Sequence, residues 1–176
     1  MAAATATQRR RRPVTVREIH LIDTSIFCRI LRVPGLCSNE EHKQTLAELG
    51  ALLARPEITL LLPVAVIYET GNHIAQNGDG DVRRKTALRF AKRVTEALNG
   101  NAPWTPTPLP ELRHMTSWLQ DFPAWAMAGS GLGDRSIVWD YEQQRELNPL
   151  ARVRIWSTDE HLTSYDYRPT SSLYPQ

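Results

Sequence analysis

The stretch Ile19-His20-Leu21-Ile22-Asp23-Thr24-Ser25 decides how this chain is read. Arg17 to Ile22 is short and rich in apolar and β-branched residues, the make-up of a buried strand. It stops at Asp23-Thr24-Ser25, three residue types that cap helices, and a helical pattern follows from Ile26 to Leu31 before Pro34-Gly35 breaks it. A buried strand that passes through a capping triplet into a helix is the building unit of parallel α/β sheets. Two more strands of this kind follow. Ile58 to Leu62 is buried and leads through Pro63 into a helix from Val64 to about Gln76. Val153 to Trp156 ends at Ser157-Thr158-Asp159.

Helices fill the intervals. Ser38 and Glu41 form a capping box, opening a helix with Leu46, Leu49 and Leu53 at helical spacing that stops before Pro56. Asn77-Gly78-Asp79-Gly80 is a turn. Asp81 begins an amphipathic helix to about Leu98. Ala87, Ala91, Val94 and Leu98 share one face of it, and Lys85, Arg89, Lys92 and Arg93 the opposite one. Trp104 to Leu109 reads as a short edge strand, because its prolines bar it from a sheet centre. Glu111 to Leu119 is helical, with irregular chain through Pro123 and a loop at Gly129 to Gly133. Asp134 to about Leu147 is a helix. After Asp159 come a short helical turn and an irregular tail. The alternation predicts a three-layer α/β/α sandwich around a mainly parallel sheet with right-handed crossovers. Sites in such sheets collect at the carboxyl ends of the strands.

Composition narrows the class. The 176 residues suit one domain, read here as residues 14–176 behind a disordered basic arm at residues 1–13. Apolar residues make up 41% and charged residues 23%, ordinary for a globular protein. No stretch approaches the ~20 apolar residues that span a bilayer. The longest apolar run, Ile58 to Tyr68, is interrupted by Thr59 and Pro63. A membrane-spanning chain, a wholly disordered chain and a collagen-like repeat are excluded. Lys and Arg number 21 against 19 Asp and Glu. Four of the arginines form the run Arg9 to Arg12; setting them aside leaves 17 basic against 19 acidic residues. The basic pI near 8.7 therefore belongs to the arm and does not argue for a nucleic-acid-binding body. The arm suits phosphate contact and a solvated tail about equally. Cys28 and Cys37 are too few and too far apart for a disulfide framework or a C-x-x-C site, and they fit buried thiols in a reducing compartment. No signal peptide is legible, so the expected location is cytoplasmic.

Three aspartates stand in the same kind of place. Asp23 follows the first strand, Asp159 follows the last clear strand, and Asp134 opens the helix that leads into it. Each alone reads as a helix cap. Glu69 is harder to account for. It lies among Val64, Val66, Ile67 and Tyr68, with only His73 at helical spacing as a local partner. A buried, unpaired carboxylate is costly, so a compensating cation is expected from elsewhere. Carboxylates that converge raise one another's pKa unless a cation neutralises them. An oxygen-only donor set suits Mg²⁺ or Mn²⁺, and no Cys/His set points to zinc. Such a site orients phosphate and activates water for in-line displacement.

Taken together, Ile19 to Ser25, Pro63 through Val66 to Glu69, Gly133-Asp134-Arg135-Ser136-Ile137-Val138, and Val153 to Asp159 resemble the PIN-domain nuclease family. The resemblance covers roughly Ile19 to Leu162; each motif is short, and their order, spacing and strand context give the match its specificity. It implies a PIN-like fold with an acidic pocket for Mg²⁺ or Mn²⁺. Asp23, Glu69, Asp134 and Asp159 match the family's acidic quartet, with Asp23 and Asp134 as the main ligands. Glu69 and Asp159 would bind a second metal or orient water. Ser25 matches the small hydroxyl residue after the first aspartate. Ser157 stands where the family often has Thr and keeps the hydroxyl. The chain departs from the smallest members in its long Gly71 to Gly133 segment and in lacking a clear final strand.

The resemblance implies a ribonuclease acting on an RNA substrate, in many members a toxin silenced by a small antitoxin protein, and in some a homodimer. The basic face of Lys85, Arg89, Lys92 and Arg93 suits a nucleic-acid backbone or a solvated helix surface equally. Among Trp104, Trp118, Trp125 and Trp156, core packing accounts for most, and Trp125 is the candidate for base stacking. Cleavage of DNA, or structure-specific cleavage of a flap, is the nearest alternative. A non-catalytic binding module whose acidic pocket docks a partner is the alternative of another class. A Rossmann-like nucleotide site lacks its G-x-G-x-x-G after the first strand.

Overall fold

The sheet is built outward from its central strand, β1 (Glu18–Ile22). On one side β1 pairs in parallel with β2 (Ile58–Leu62), and β2 pairs in parallel with β3 (Trp104–Pro106). On the other side it pairs in parallel with β4 (Arg152–Trp156), and the two-residue β5 (Asp166–Tyr167) closes that edge antiparallel to β4. The computed structural model describes residues 16–169; the arm read at residues 1–13 lies outside them. Seven helices complete the described chain: α1 (Thr24–Leu31), α2 (Asn39–Leu53), α3 (Val64–Ala75), α4 (Gly80–Leu98), α5 (Leu112–Met127), α6 (Leu132–Leu147) and α7 (Glu160–Thr163). The steps β1 to β2 and β2 to β3 move one way across the sheet, and the step β3 to β4 moves back. Helices α1–α4 span the steps from β1 to β3 and α5–α6 the step back to β4, an arrangement compatible with three layers.

Leu21, Ile22, Phe27, Leu62, Val66, Ile137 and Val153 are wholly buried and join both helical layers to the sheet. Phe27 of α1 meets Trp104 of β3 edge-on at 5.6 Å between ring centroids and Phe90 of α4 at 6.5 Å. One aromatic side chain thereby ties the first helix, the fourth helix and the sheet edge together. A polar network occupies the sheet beside this apolar core. Glu18 accepts from Arg55 and from Arg152, and its Oε2 lies 3.0 Å from His20 Nε2. Arg154 Nε stands 3.3 Å from His20 Nδ1, so Nδ1 accepts and Nε2 donates to Glu18. Burial foremost, and the neighbouring guanidiniums, push the imidazole pKa down to about 4. Arg152 grips Asp166 of β5 with two parallel hydrogen bonds of 2.8 and 2.7 Å.

Several helices differ from the sequence reading in ways that have causes. In α2 the buried positions are Thr45, Leu49 and Leu52, while Leu46 and Leu53 are exposed. In α4 the inward stripe is Val82, Thr86, Phe90, Val94 and Ala97. Ala87, Ala91 and Leu98 face solvent, so the helix is turned by roughly a quarter turn from the predicted face. Phe90 decides it, since its ring is the largest apolar group on the helix. α5 runs through Pro123 rather than ending near Leu119. The missing N–H would have served Leu119, and both residues are exposed, so the orphaned carbonyl is open to water. α6 begins two residues before Asp134. β5 supplies a final strand that two residues cannot announce in sequence.

Three helices end in one motif. After α4, Asn101 N donates to Glu96 O and Gly100 N to Ala97 O, with Gly100 at φ 71. After α5, Ser130 N donates to Trp125 O and Gly129 N to Ala126 O, with Gly129 at φ 82. Both are Schellman turns with glycine in the left-handed position. After α1, Val33 N donates to Cys28 O and Arg32 N to Arg29 O. Here an arginine holds the left-handed position, at φ 52 and ψ 55. A side chain there costs about 1 kcal/mol relative to glycine.

A candidate acidic site at the carboxyl edge of the sheet

β1 and β4 end level with each other, Ile22 beside Trp156. Their exits are stitched together by hydroxyls. Asp23 caps α1, and its Oδ2 accepts from Ser25 N at 3.2 Å, Ser25 Oγ at 2.7 Å and Ser157 Oγ at 2.8 Å. Ser25 Oγ accepts in turn from Thr158 N at 3.1 Å, and Ser157 Oγ from Asp159 N at 2.9 Å. All three donors take one oxygen of Asp23. The other oxygen has no hydrogen-bond partner among the described residues, although the side chain is only 4% exposed.

Glu69 stands in the middle of α3, and Oε2 accepts from Thr24 Oγ1 at 2.5 Å. No basic side chain among the described residues pairs with it; this neutral hydroxyl does, and His73 acts on it only through space. Its carboxylate lies against Gly133 so closely that a Cβ there would come within 1.6 Å of Oε1. Asp134 sits in the first turn of α6, not at its cap; Gly131 is the cap, and Asp134 Oδ2 accepts from Gly131 N at 2.9 Å. Asp159 caps the short α7, accepting from His161 N at 2.7 Å.

All four carboxylates, with Ser25, line one open pocket of about 590 Å³. Asn72, His73 and Gln76 extend the Glu69 stripe of α3 along its wall, and Arg29 and Leu36 form part of the rim. The carboxylates act on one another. Burial foremost raises the pKa of Glu69, and Asp134 and Asp23 add to the rise. Burial likewise raises that of Asp134, with Asp23 and Asp159 adding to it against the Gly131 amide. Such a set is stabilised by a cation, and its all-oxygen chemistry fits a hard divalent one. As the side chains stand, no three Asp, Glu, His or Cys residues among those described form a closed metal-binding group.

The remaining sequence candidates divide. Arg89, Lys92 and Arg93 line a second groove of about 730 Å³ together with Arg32, Asn39 and His42; Lys85 does not line it. Trp104, Trp118 and Trp156 are buried in the fold. Trp125 is half-buried in the last turn of α5, within the segment read as irregular. It lines a cleft of about 520 Å³ with His161 and Tyr165, and Leu162 is shared between that cleft and the acidic pocket. The Arg135 guanidinium lies 5.6 Å from the Trp125 ring centroid. Sequence reasoning read Thr24 only as a helix-cap type and Gly133 only as part of a loop. Only the packing of α3 against α1 and α6 reveals that one holds Glu69 and the other makes room for it.

No protein-family model matches this chain, and neither a curated protein nor a solved structure matches it. Among the described residues no helix is long and apolar enough to cross a membrane.

Proposed function

We propose that this chain is a PIN-like, metal-dependent nuclease that hydrolyses phosphodiester bonds of RNA. The observation that carries the reading is the meeting of Asp23, Glu69, Asp134 and Asp159 in one pocket, from four separate parts of the chain. Asp23 and Asp134 would hold Mg²⁺ or Mn²⁺, with Glu69 and Asp159 completing the set. The bound ion would polarise the phosphate and lower the pKa of a water. The protein's own contribution is positioning. Ser25 and Ser157 fix one oxygen of Asp23 and leave the other toward the pocket. Thr24 aims Glu69, and Gly133 leaves it space. Both positioning hydroxyls on Asp23 are themselves held by backbone amides, so the constellation is rigid before substrate arrives.

The test is cleavage of a mixed RNA pool by purified protein with Mn²⁺, with EDTA, and with Asp134→Asn alongside. The asparagine keeps an oxygen for the Gly131 amide, so the fold survives and cutting is lost. Normal cleavage by the folded variant would overturn the assignment. Cutting confined to DNA would move the substrate class. No cutting of either polymer would favour a module that only docks a partner in the acidic pocket.

A further inference from the structure

The groove between the end of α1 and α4 carries four cations and no carboxylate in its lining: Arg32, Arg89, Lys92 and Arg93. Arg93 and Lys92 are partly answered by Glu96 of their own helix, at 3.0 and 3.9 Å. Arg32 and Arg89 have no ion-pair partner among the described residues. Arg32 is held only by the neutral amide of Asn39, and Arg89 by the Thr86 hydroxyl at 3.2 Å. Arg89 also reaches toward the Arg32 carbonyl at 3.5 Å. Two guanidiniums that no carboxylate answers therefore line the same groove.

The backbone gives an independent sign. The two other Schellman turns of this molecule place glycine at the left-handed position, and the turn that borders this groove places Arg32 there. The conformation disfavours a side chain, and glycine would serve the helix end better. Among the described residues, arginine stands against local preference at the one such turn that borders a cationic groove.

We infer that this groove is a phosphate-binding site for the backbone of a single-stranded nucleic acid, with Arg32 and Arg89 as its paired anchors. Guanidiniums suit phosphate because their N–H groups match two of its oxygens at once. The groove adjoins the acidic pocket through one structural unit. Thr24 and Arg29 of α1 line the pocket, and Arg32 at the end of the same helix lines the groove. The rise along α1 from Thr24 in the pocket to Arg32 in the groove is about 12 Å. A strand lying along α1 would place one phosphate in each. The inference rests on the nuclease reading for its choice of ligand.

The test is a fluorescence-anisotropy titration of a labelled single-stranded RNA, and of DNA of the same sequence, with the full chain in EDTA. Cutting is then off, and affinity reports the groove. Arg32→Gly and Arg89→Ala should each weaken binding about 5- to 10-fold, on both polymers. Each should flatten the salt dependence by about 0.7 in the log–log slope, the value for one single-strand phosphate contact. Arg113→Ala, an exposed change on α5, should do neither. Arg32→Gly should also raise the melting temperature by about 2–4 °C, so its lost affinity cannot come from unfolding. Unchanged affinity and slope in both groove variants would overturn the inference. So would failure of the wild-type chain to bind either polymer, or a loss confined to one of them. If RNA binds through the groove and wild-type protein cuts nothing with Mn²⁺, the nuclease reading fails while the groove stands.

Discussion

Replacing Gly133 by alanine separates the architecture of the acidic pocket from the stability of the fold. The new Cβ would lie 1.6 Å from Glu69 Oε1 and 2.5 Å from its Cδ. Carbon contacts settle near 3.5 Å, so the carboxylate must retreat by roughly 2 Å. The atoms in the way are the free end of a flexible side chain, so the backbone need not move. The retreat breaks the 2.5 Å bond from Thr24, which costs about 1.5 kcal/mol. Alanine favours a helix over glycine by about 1 kcal/mol, which offsets most of this. The melting temperature should therefore change by no more than about 2–4 °C. A displacement of this size at a positioning group costs about 100-fold in rate. The assays are thermal unfolding with and without Mn²⁺, and cleavage of RNA. Wild-type protein should gain about 2.7 kcal/mol from Mn²⁺ at a hundredfold excess over Kd, and Gly133→Ala much less. A metal response and cleavage equal to wild type would refute the reasoning. A loss of stability beyond about 4 kcal/mol would refute it in another way, by showing that Glu69 cannot yield.

Two further predictions concern the fold. Asp140 is buried in α6, accepts from Thr107 Oγ1 at 2.8 Å, and has its pKa pushed by burial from 3.8 up to about 6. Between those values the folded state holds a proton that the unfolded state has lost, so the contribution of Asp140 to stability is most favourable below pH 4 and declines as pH rises to about 6. Asp140→Asn should thus stabilise by on the order of 3 kcal/mol at pH 8 and by nothing below pH 4, measured by urea unfolding; an equal effect at both would contradict it. Phe27→Ala should cost about 3–5 kcal/mol in denaturant unfolding, because the wholly buried ring joins α1, α4 and β3. A loss under about 1 kcal/mol would mean the site collapses around the missing ring.

Much of the framework was legible because it rests on short-range physics. β1 and β2 are short, largely apolar runs that stop at Asp23 and Pro63, each opening a helix, and Ser38 and Glu41 form the capping box their spacing predicts. Asp23 and Asp159 do cap helices, and they also line the pocket, so the two readings of each were never exclusive. What escaped was set by tertiary packing. The inward face of α4 depended on where Phe27 would meet Phe90. Pro123 misled because a helix tolerates it where water can reach the freed carbonyl. The hydroxyl that answers Glu69 comes from Thr24, 45 residues away. The partnership of Arg32 with Arg89 likewise joins a turn to a helix 57 residues on. No local pattern encodes either meeting.

The two borders of the sheet have a consequence for how copies of this chain can meet. One border is three residues long and carries Pro106, which has no N–H to offer. The other is two residues long, and Asp166 there is clasped by Arg152 and Arg168. Neither offers enough free ladder to template another strand, and both end in features that natural sheets use against fibre growth. Self-association by extending the sheet is therefore disfavoured, and any pairing of copies falls to the helical faces.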